Sequence, residues 1–236
     1  GDAARLHEWR AVLNTADIYP EKLEEATRGV DFDAVLIGSV VPAKAEVLAN
    51  PFSRQHPVHM LDHRSPLGMG IDYPLPAQIG ADRLANAVGV LHRHGAPAIV
   101  IDFGTAVTFD VISSAPAYCG GVIAPGLGAM SAYLPGKTAL LPVIELEEPA
   151  AAIGKSTAQA MLAGAVYGYR GMIREIIARI RAELGGDPKI VATGGDAALI
   201  ARGLKEIAAV DPDLTLDGLR RVAAAVFAGT CRRDWV

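Results

Sequence analysis

Cysteine is nearly absent: Cys119 and Cys231 are the only two in 236 residues, far apart and outside any metal-ligand spacing. Neither a disulfide framework nor a zinc site is expected, and both thiols should be reduced. An excess of charge of one sign is also missing, since 22 basic and 26 acidic residues are spread along the chain for a net charge of -4. That leaves no footprint for nucleic acid or for an anionic membrane surface, and a small-molecule partner fits better. No apolar run approaches the length of a membrane span, and residues 1–10 lack the basic and apolar regions of a signal peptide. A cytoplasmic location is the expectation. The first residue is Gly rather than Met, so the natural start stays open. What is present is a 51% hydrophobic composition, enough to fill the core of one large or two small domains without covalent staples.

Periodicity divides the chain into strands and helices. Ala34–Val41 is a β-branched apolar run stopped by Pro42 and reads as a buried strand, followed by a short helical stretch over Ala43–Ala49. Val58–Leu61 is a further short strand, and His63–Gly70 a surface loop whose Gly68 and Gly70 permit movement. From Ala81 to His92 the apolar residues Leu84, Ala87, Val88 and Leu91 recur at helical spacing. Ala98–Phe103 and Val107–Ile112 form a β-hairpin around Gly104, Thr105 and Ala106. The glycine-rich stretch Gly120–Gly128 leads into a helix from about residue 129. Ser156–Leu184 is a long core helix ended by Gly185 and Gly186; Lys189–Ala192 is a strand that delivers the chain into Thr193-Gly-Gly195 and a helix over Ala197–Leu204. Leu216–Ala228 closes the fold as a helix, with a frayed polar end at Cys231–Trp235. The class is α/β, with hairpins mixed into strand-and-helix units, and a domain boundary is drawn near Gly95–Pro97.

Four short stretches carry candidate chemistry. In Asp102-Phe-Gly-Thr-Ala-Val-Thr108 an acid ends one strand, turn amides can cradle a phosphate, Thr105 and Thr108 add hydroxyl donors, and Asp102 can hold the accompanying cation. An ordinary hairpin with Asp capping its turn explains the same spacing equally well. Gly194 and Gly195 open a helix whose N-terminus can receive a nucleotide, or simply turn the chain. Gly80-Ala81-Asp82-Arg83 sets a proton acceptor beside a clamp for a carboxylate or phosphate at a helix start; a helix cap with an exposed ion pair is the plainer explanation. Thr157 offers either a substrate-facing hydroxyl or a cap to the long helix. Gly154-Lys-Ser and Gly136-Lys-Thr lack the upstream glycine of a P-loop. His92 and His94 flank Arg93 without acidic or cysteine partners in sequence, and an exposed helix end with no chemical role is expected there.

Taken in order, these segments resemble the type III pantothenate kinases, within the acetate and sugar kinase, Hsc70 and actin superfamily. The resemblance runs through Ser39-Val-Val-Pro42, Tyr73-Pro, Gly80-Ala-Asp-Arg83, Asp102-Phe-Gly-Thr-Ala-Val-Thr108 and Gly120-Gly-Val-Ile-Ala-Pro-Gly126. It continues through Leu134–Pro142, Ile153-Gly-Lys-Ser-Thr157, Thr193-Gly-Gly195 and Leu214-Thr-Leu-Asp-Gly-Leu219. It implies two actin-like, ribonuclease H-like domains, placed at 1–96 and 97–236, with mixed sheets flanked by helices and the active site in the cleft between them. It further implies phosphorylation of pantothenate from ATP, the first step of coenzyme A biosynthesis. Asp82 would be the proton acceptor, and Tyr73, Gly80, Ala81, Asp82, Arg83 and Thr157 would contact pantothenate. Gly104, Thr105, Gly194 and Gly195 would hold ATP, with Mg2+, and Asp102 would bind a monovalent cation, K+ or NH4+. A homodimer whose pockets are completed near the subunit interface is also implied.

One family element is not found. Members open on a strand and a turn reading Asp-x-Gly-Asn-Thr that grips the ATP phosphates, and nothing in residues 1–20 resembles it, whereas Leu6–Arg10 looks like the family's next strand. An incomplete chain is the expectation, and a catalytically inactive binding or regulatory homologue is the alternative. A different small-molecule kinase on the same fold is a third reading, because fold alone does not choose a substrate.

Overall fold

The computed structural model describes residues 19–138 and 140–228. The strand expected at Leu6–Arg10 and the polar end Cys231–Trp235 lie outside these residues. In chain order the elements are α1 (Pro20–Thr27), β1 (Val35–Ile37), α2 (Pro42–Ala49), β2 (Val58–Met60), β3 (Gly70–Ile71), a single 3-10 turn at Pro76–Gln78 and α3 (Ala81–His94). They continue with β4 (Ala98–Phe103), β5 (Ala106–Ile112), β6 (Ala117–Pro125), α4 (Leu127–Lys137), α5 (Thr157–Leu184), β7 (Lys189–Thr193), α6 (Ala197–Ala201), β8 (Ala209–Val210) and α7 (Leu214–Val226). Among the described residues no helix is long and apolar enough to cross a membrane. Two compact units result: the described residues up to His92 together with those from Leu214 on, and Arg93–Asp213. The closing helix is thus grouped with the first unit, whereas a linear division at 96 and 97 places it in the second.

In the first unit β1 and β2 pair in parallel, Val35 opposite Val58 and Ile37 opposite Met60. The strand expected over Ala34–Val41 is only three residues long. Gly38 ends it by passing so close to α7 that an added Cβ would lie 2.9 Å from Leu219 Cδ2, and Pro42 then opens α2 at its first turn. The loop at His63–Gly70 is not wholly superficial, because Ser65 and Leu67 are buried.

Helix α3 is buried on every side over residues 84–90, and α7 packs against it backbone to backbone. A Cβ on Gly218 would collide with the Ala85 carbonyl oxygen, and one on Gly89 with that of Leu214. Thr215 Oγ1 donates to Asn86 Oδ1 at 2.6 Å across the same contact. Two glycines on facing helices therefore bring the axes closer than any side chain would allow.

On α7 the buried Asp217 accepts from Arg220 Nε and Nη2 at 3.0 and 2.8 Å and from Arg221 Nε at 2.8 Å. Burial pushes its carboxyl upward, but the hydrogen bonds from Arg221 and Arg220 prevail and hold it below the ordinary aspartate value. A depressed folded-state value contributes stability above the unfolded pKa that is lost as pH falls through the folded one. Asp217→Asn is accordingly expected to be less stable than wild type at neutral pH, with the gap closing below about pH 4. Urea midpoints measured across that range check it; a gap independent of pH would mean that the lost stability is packing rather than charge.

In the second unit five strands run in the order β6-β5-β4-β7-β8. β4, β5 and β6 are antiparallel, while β4–β7 and β7–β8 are parallel, so the sheet is mixed. One sheet face supplies Ile99, Ile101, Phe103, Val107, Phe109 and Ile190 to the core. The opposing stripe of α5, Val166, Tyr169, Ile173 and Ile177, repeats at helical spacing and covers that face. Arg170 leaves this stripe buried: it donates to both Glu148 oxygens at 2.8 and 2.7 Å and to the Ile200 and Leu199 carbonyls at 3.1 and 2.7 Å. Gly203 makes room for it, since a Cβ there would stand 2.6 Å from Arg170 Cδ, and α6 stops at Ala201 rather than Leu204.

The stretch Gly120–Gly128, expected as a glycine-rich lead into a helix, is largely strand. β6 pairs along the whole length of β5, with a bulge opposite Val111 and Ile112 where Gly120 takes φ 123°. Glycines that weaken a strand pattern in sequence are here what the bulge requires, and α4 starts at Leu127, two residues before the expected position.

Candidate active site

Asp82 stands in the first turn of α3, where its Oδ1 accepts the Arg83 amide at 2.8 Å. Gly80 precedes it because the carboxylate folds back over that position: a Cβ on Gly80 would be 2.5 Å from Asp82 Oδ1 and 3.3 Å from Val40 Cγ1. Ala81 is buried, Asp82 and Arg83 are half-buried, and Tyr73 is half-buried just before the 3-10 turn that leads into the helix. The segment 73–83 thus offers an acid, a base and a phenol on one continuous stretch of the first unit. With Asp82 the expected proton acceptor, Gly80→Ala is expected to fold normally and to lower kcat by about tenfold or more, since the new methyl must displace the carboxylate and small displacements of a reacting group are costly. Steady-state kinetics beside a thermal melt check this; an unchanged kcat would show that the carboxylate's position is immaterial.

In the second unit, hairpin and parallel pairing bring distant residues together. Asp102 is opposite Thr108 on β5 and Thr193 on β7. Gly194, at φ 91°, turns the chain past the end of β4 so closely that a Cβ would stand 2.7 Å from Asp102 Oδ1 and 2.6 Å from Phe103 O. The hairpin tip is held from beneath by Gly126, whose amide donates to Thr105 O at 3.1 Å and where a side chain would strike the Gly104 carbonyl. The Gly104 amide donates to Ala106 O at 3.1 Å, so it is committed to the turn rather than open to a phosphate. Thr105 is exposed at the tip, as is Gly195 in the facing turn.

Thr157 is the first residue of α5 and is exposed, and it is not the cap. Ser156 accepts the Gln159 amide at 3.2 Å, while Gln159 Oε1 accepts the Lys155 amide at 2.8 Å. The capping explanation for Thr157 is thereby removed.

The helix end is exposed at His92 and Arg93, as expected, but His94 is half-buried and an acidic partner is present. Arg93 and His94 both reach the buried Asp211, Arg93 Nη1 at 3.0 Å from Oδ1 and His94 Nε2 at 3.1 Å from Oδ2. Their acidic partner lies more than a hundred residues downstream, beyond the reach of local spacing. His92, by contrast, lines a cavity of about 250 Å³ in the first unit with Pro66, Gly68, Val88, Arg220 and Arg221, where burial and then the Arg221 charge depress its pKa. None of the residues singled out above as candidate chemistry lines that cavity.

Sequence reasoning passed over Asp196, the residue after Gly195. Its amide donates weakly to Phe103 O at 3.5 Å and burial pushes its carboxyl up. Tyr169 is pushed up to about 12, by burial first and by the Asp196 charge second. An acid directly after a glycine pair was the available signal.

A model of the type III pantothenate kinase family matches residues 5–179. The chain belongs to that family. A type III pantothenate kinase of Akkermansia muciniphila is 56% identical over 214 residues, covering 91% of this chain and 88% of that protein. One of Methylacidiphilum infernorum is 45% identical over 212 residues, covering 89% and 78%. Among solved structures, a Baf family transcriptional activator from Campylobacter jejuni superposes with a TM-score of 0.60 over 87% of both chains at 20% identity, a likeness of fold alone. As a type III pantothenate kinase the protein is a phosphotransferase that phosphorylates pantothenate in coenzyme A biosynthesis, using ATP and a metal ion. The mixed α/β architecture, with its mixed sheet flanked by helices, is the one this family was expected to bring.

Proposed function

We propose that in this pantothenate kinase Asp82 is the general base, Asp102 the ligand of a monovalent cation, and Thr105 with Gly194 and Gly195 the nucleotide loop. The observation that carries the reading is the contact of Gly194 with the Asp102 carboxylate, which unites two motifs far apart in sequence. The primary hydroxyl of pantothenate attacks the terminal phosphorus of ATP, an O–P bond forms, and the bond to the bridging oxygen breaks to release ADP. Asp82 takes the hydroxyl proton; Arg83 pairs with the pantothenate carboxylate, and Tyr73 and Thr157 line the same substrate's site. Phosphoryl transfer needs alignment and charge neutralisation more than covalent participation, and these residues supply both.

The cation reading fits the donors present. Asp102, Thr108 and Thr193 offer three hard oxygens in one row across β5, β4 and β7, beside a cradle that any side chain at Gly194 would fill. K+ or NH4+ held there would neutralise phosphate charge, and Mg2+ would accompany the nucleotide. Homodimerisation is supported by the exposed apolar residues Met130, Tyr133, Leu134, Leu140, Val143 and Ile153, which gather on one stretch of the chain. The test is ATP-dependent formation of 4'-phosphopantothenate, followed by mass, in KCl and in NaCl of equal ionic strength. Faster turnover in KCl that is lost in Asp102→Asn is expected; equal turnover in both salts would remove the cation role from Asp102.

A further inference from the structure

Asp110 is a fully buried carboxylate on β5, outside the residues assigned to substrate, nucleotide and cation. It lies two residues after Thr108 on β5, on the same face, because side chains alternate along a strand. Hydroxyls of the described residues donate to it: buried Tyr118 Oη to Oδ1 at 3.2 Å and Thr108 Oγ1 to Oδ2 at 3.4 Å. A carboxylate taken wholly out of water is costly unless its oxygens are satisfied, so its retention at this place asks for a reason.

We propose that Thr108 is a second oxygen ligand of the cation held by Asp102, and that Asp110 is the positioning residue that orients its hydroxyl. This rests on the reading of Asp102 as a cation ligand. A threonine hydroxyl has one proton and two acceptor lone pairs. With the proton directed along the strand to Asp110, the lone pairs are turned away from Asp110, and Thr108 is the direct cross-strand partner of Asp102. Cations of this class take oxygen lone pairs and reject N–H or O–H protons. The same commitment of the proton removes Thr108 from the phosphate donors to which its place in the motif would assign it. Tyr118, buried on β6, fills the other oxygen of Asp110 and keeps that carboxylate from rotating toward the cation itself.

The experiment is the K+-dependent rise in melting temperature, with NaCl replacing KCl at constant ionic strength and ADP and Mg2+ present, for wild type, Thr108→Val, Thr108→Ser, Asp110→Asn and Asp102→Asn. Half-saturating K+ should rise about tenfold or more in Thr108→Val and in Asp110→Asn, as for loss of groups that orient a metal ligand, and stay near wild type in Thr108→Ser. At saturating K+ the kcat of Thr108→Val should return toward wild type, the sign of weakened cation affinity rather than a damaged site. If Asp110→Asn fails to fold, the nearly isosteric Thr108→Val decides. Wild-type half-saturation in Thr108→Val, with the K+ response lost in Asp102→Asn, overturns the inference and leaves the Asp102 reading standing. A full K+ response in Asp102→Asn overturns both.

Discussion

Replacing Asp82 by Asn should leave a folded protein that phosphorylates pantothenate at least about a hundredfold more slowly, the usual loss when a general base is removed. Asn keeps the shape of the side chain and an oxygen that can still accept the Arg83 amide, so the first turn of α3 has no structural reason to change. What it loses is the ability to take a proton from the pantothenate hydroxyl as the O–P bond forms. The effect should fall on kcat, with pantothenate affinity within a few-fold of wild type, because the amide occupies the same volume as the carboxylate. Comparison with Gly80→Ala is informative: one variant removes the base and the other moves it. Rapid-quench measurement of the first turnover separates the chemical step from product release. Wild-type chemistry in the Asn variant would take the proton-acceptor role away from Asp82.

The largest stability loss is expected at Gly218. A methyl group there must enter the space of the Ala85 carbonyl, which is helix backbone and cannot rotate aside, so α7 has to move away from α3 as a whole. That separates Thr215 from Asn86 and opens the buried face of α3. Overpacking of this kind costs about 3 kcal/mol, which at a urea dependence of about 2 kcal/mol per molar lowers the midpoint by about 1.5 M. The control is Gly171→Ala on the exposed side of α5, where nothing lies within 4 Å and alanine should stabilise by up to about 1 kcal/mol. Equal midpoints for the two variants would show that α3 and α7 yield more easily than their contact implies. Because Asp82 is the second residue of α3, a surviving Gly218→Ala protein should also lose activity below its unfolding temperature.

Local pattern was a sound guide where a segment's own residues settle its conformation. β4 was read with its observed ends, and α5 was read to within a residue because an apolar stripe, a cap and a terminating Gly185 all act within a few positions. The Gly104–Thr105 tip was legible for the same reason. Elements that exist only by pairing were not. β8 has two residues and stands because β7 is beside it. β6 was hidden by the glycines its bulge needs.

The site divides along the same line. The sequence by itself determined the residue types and their order: an acid and a base opening α3, an acid before the Gly104 tip, a hydroxyl at the head of α5, and with them the family. Only the tertiary structure decided that Ser156 caps α5 and leaves Thr157 uncommitted, that Gly194 closes on Asp102, that Asp110 accepts the Thr108 hydroxyl, and that Asp211 holds Arg93 and His94. It also returned α7 to the first unit, through two glycines whose meaning lies in the helix opposite. Hydrophobic periodicity and capping depend on neighbours a few residues away and are written in the chain, whereas cross-strand partners, buried ion pairs and close helix contacts depend on which distant segment arrives alongside.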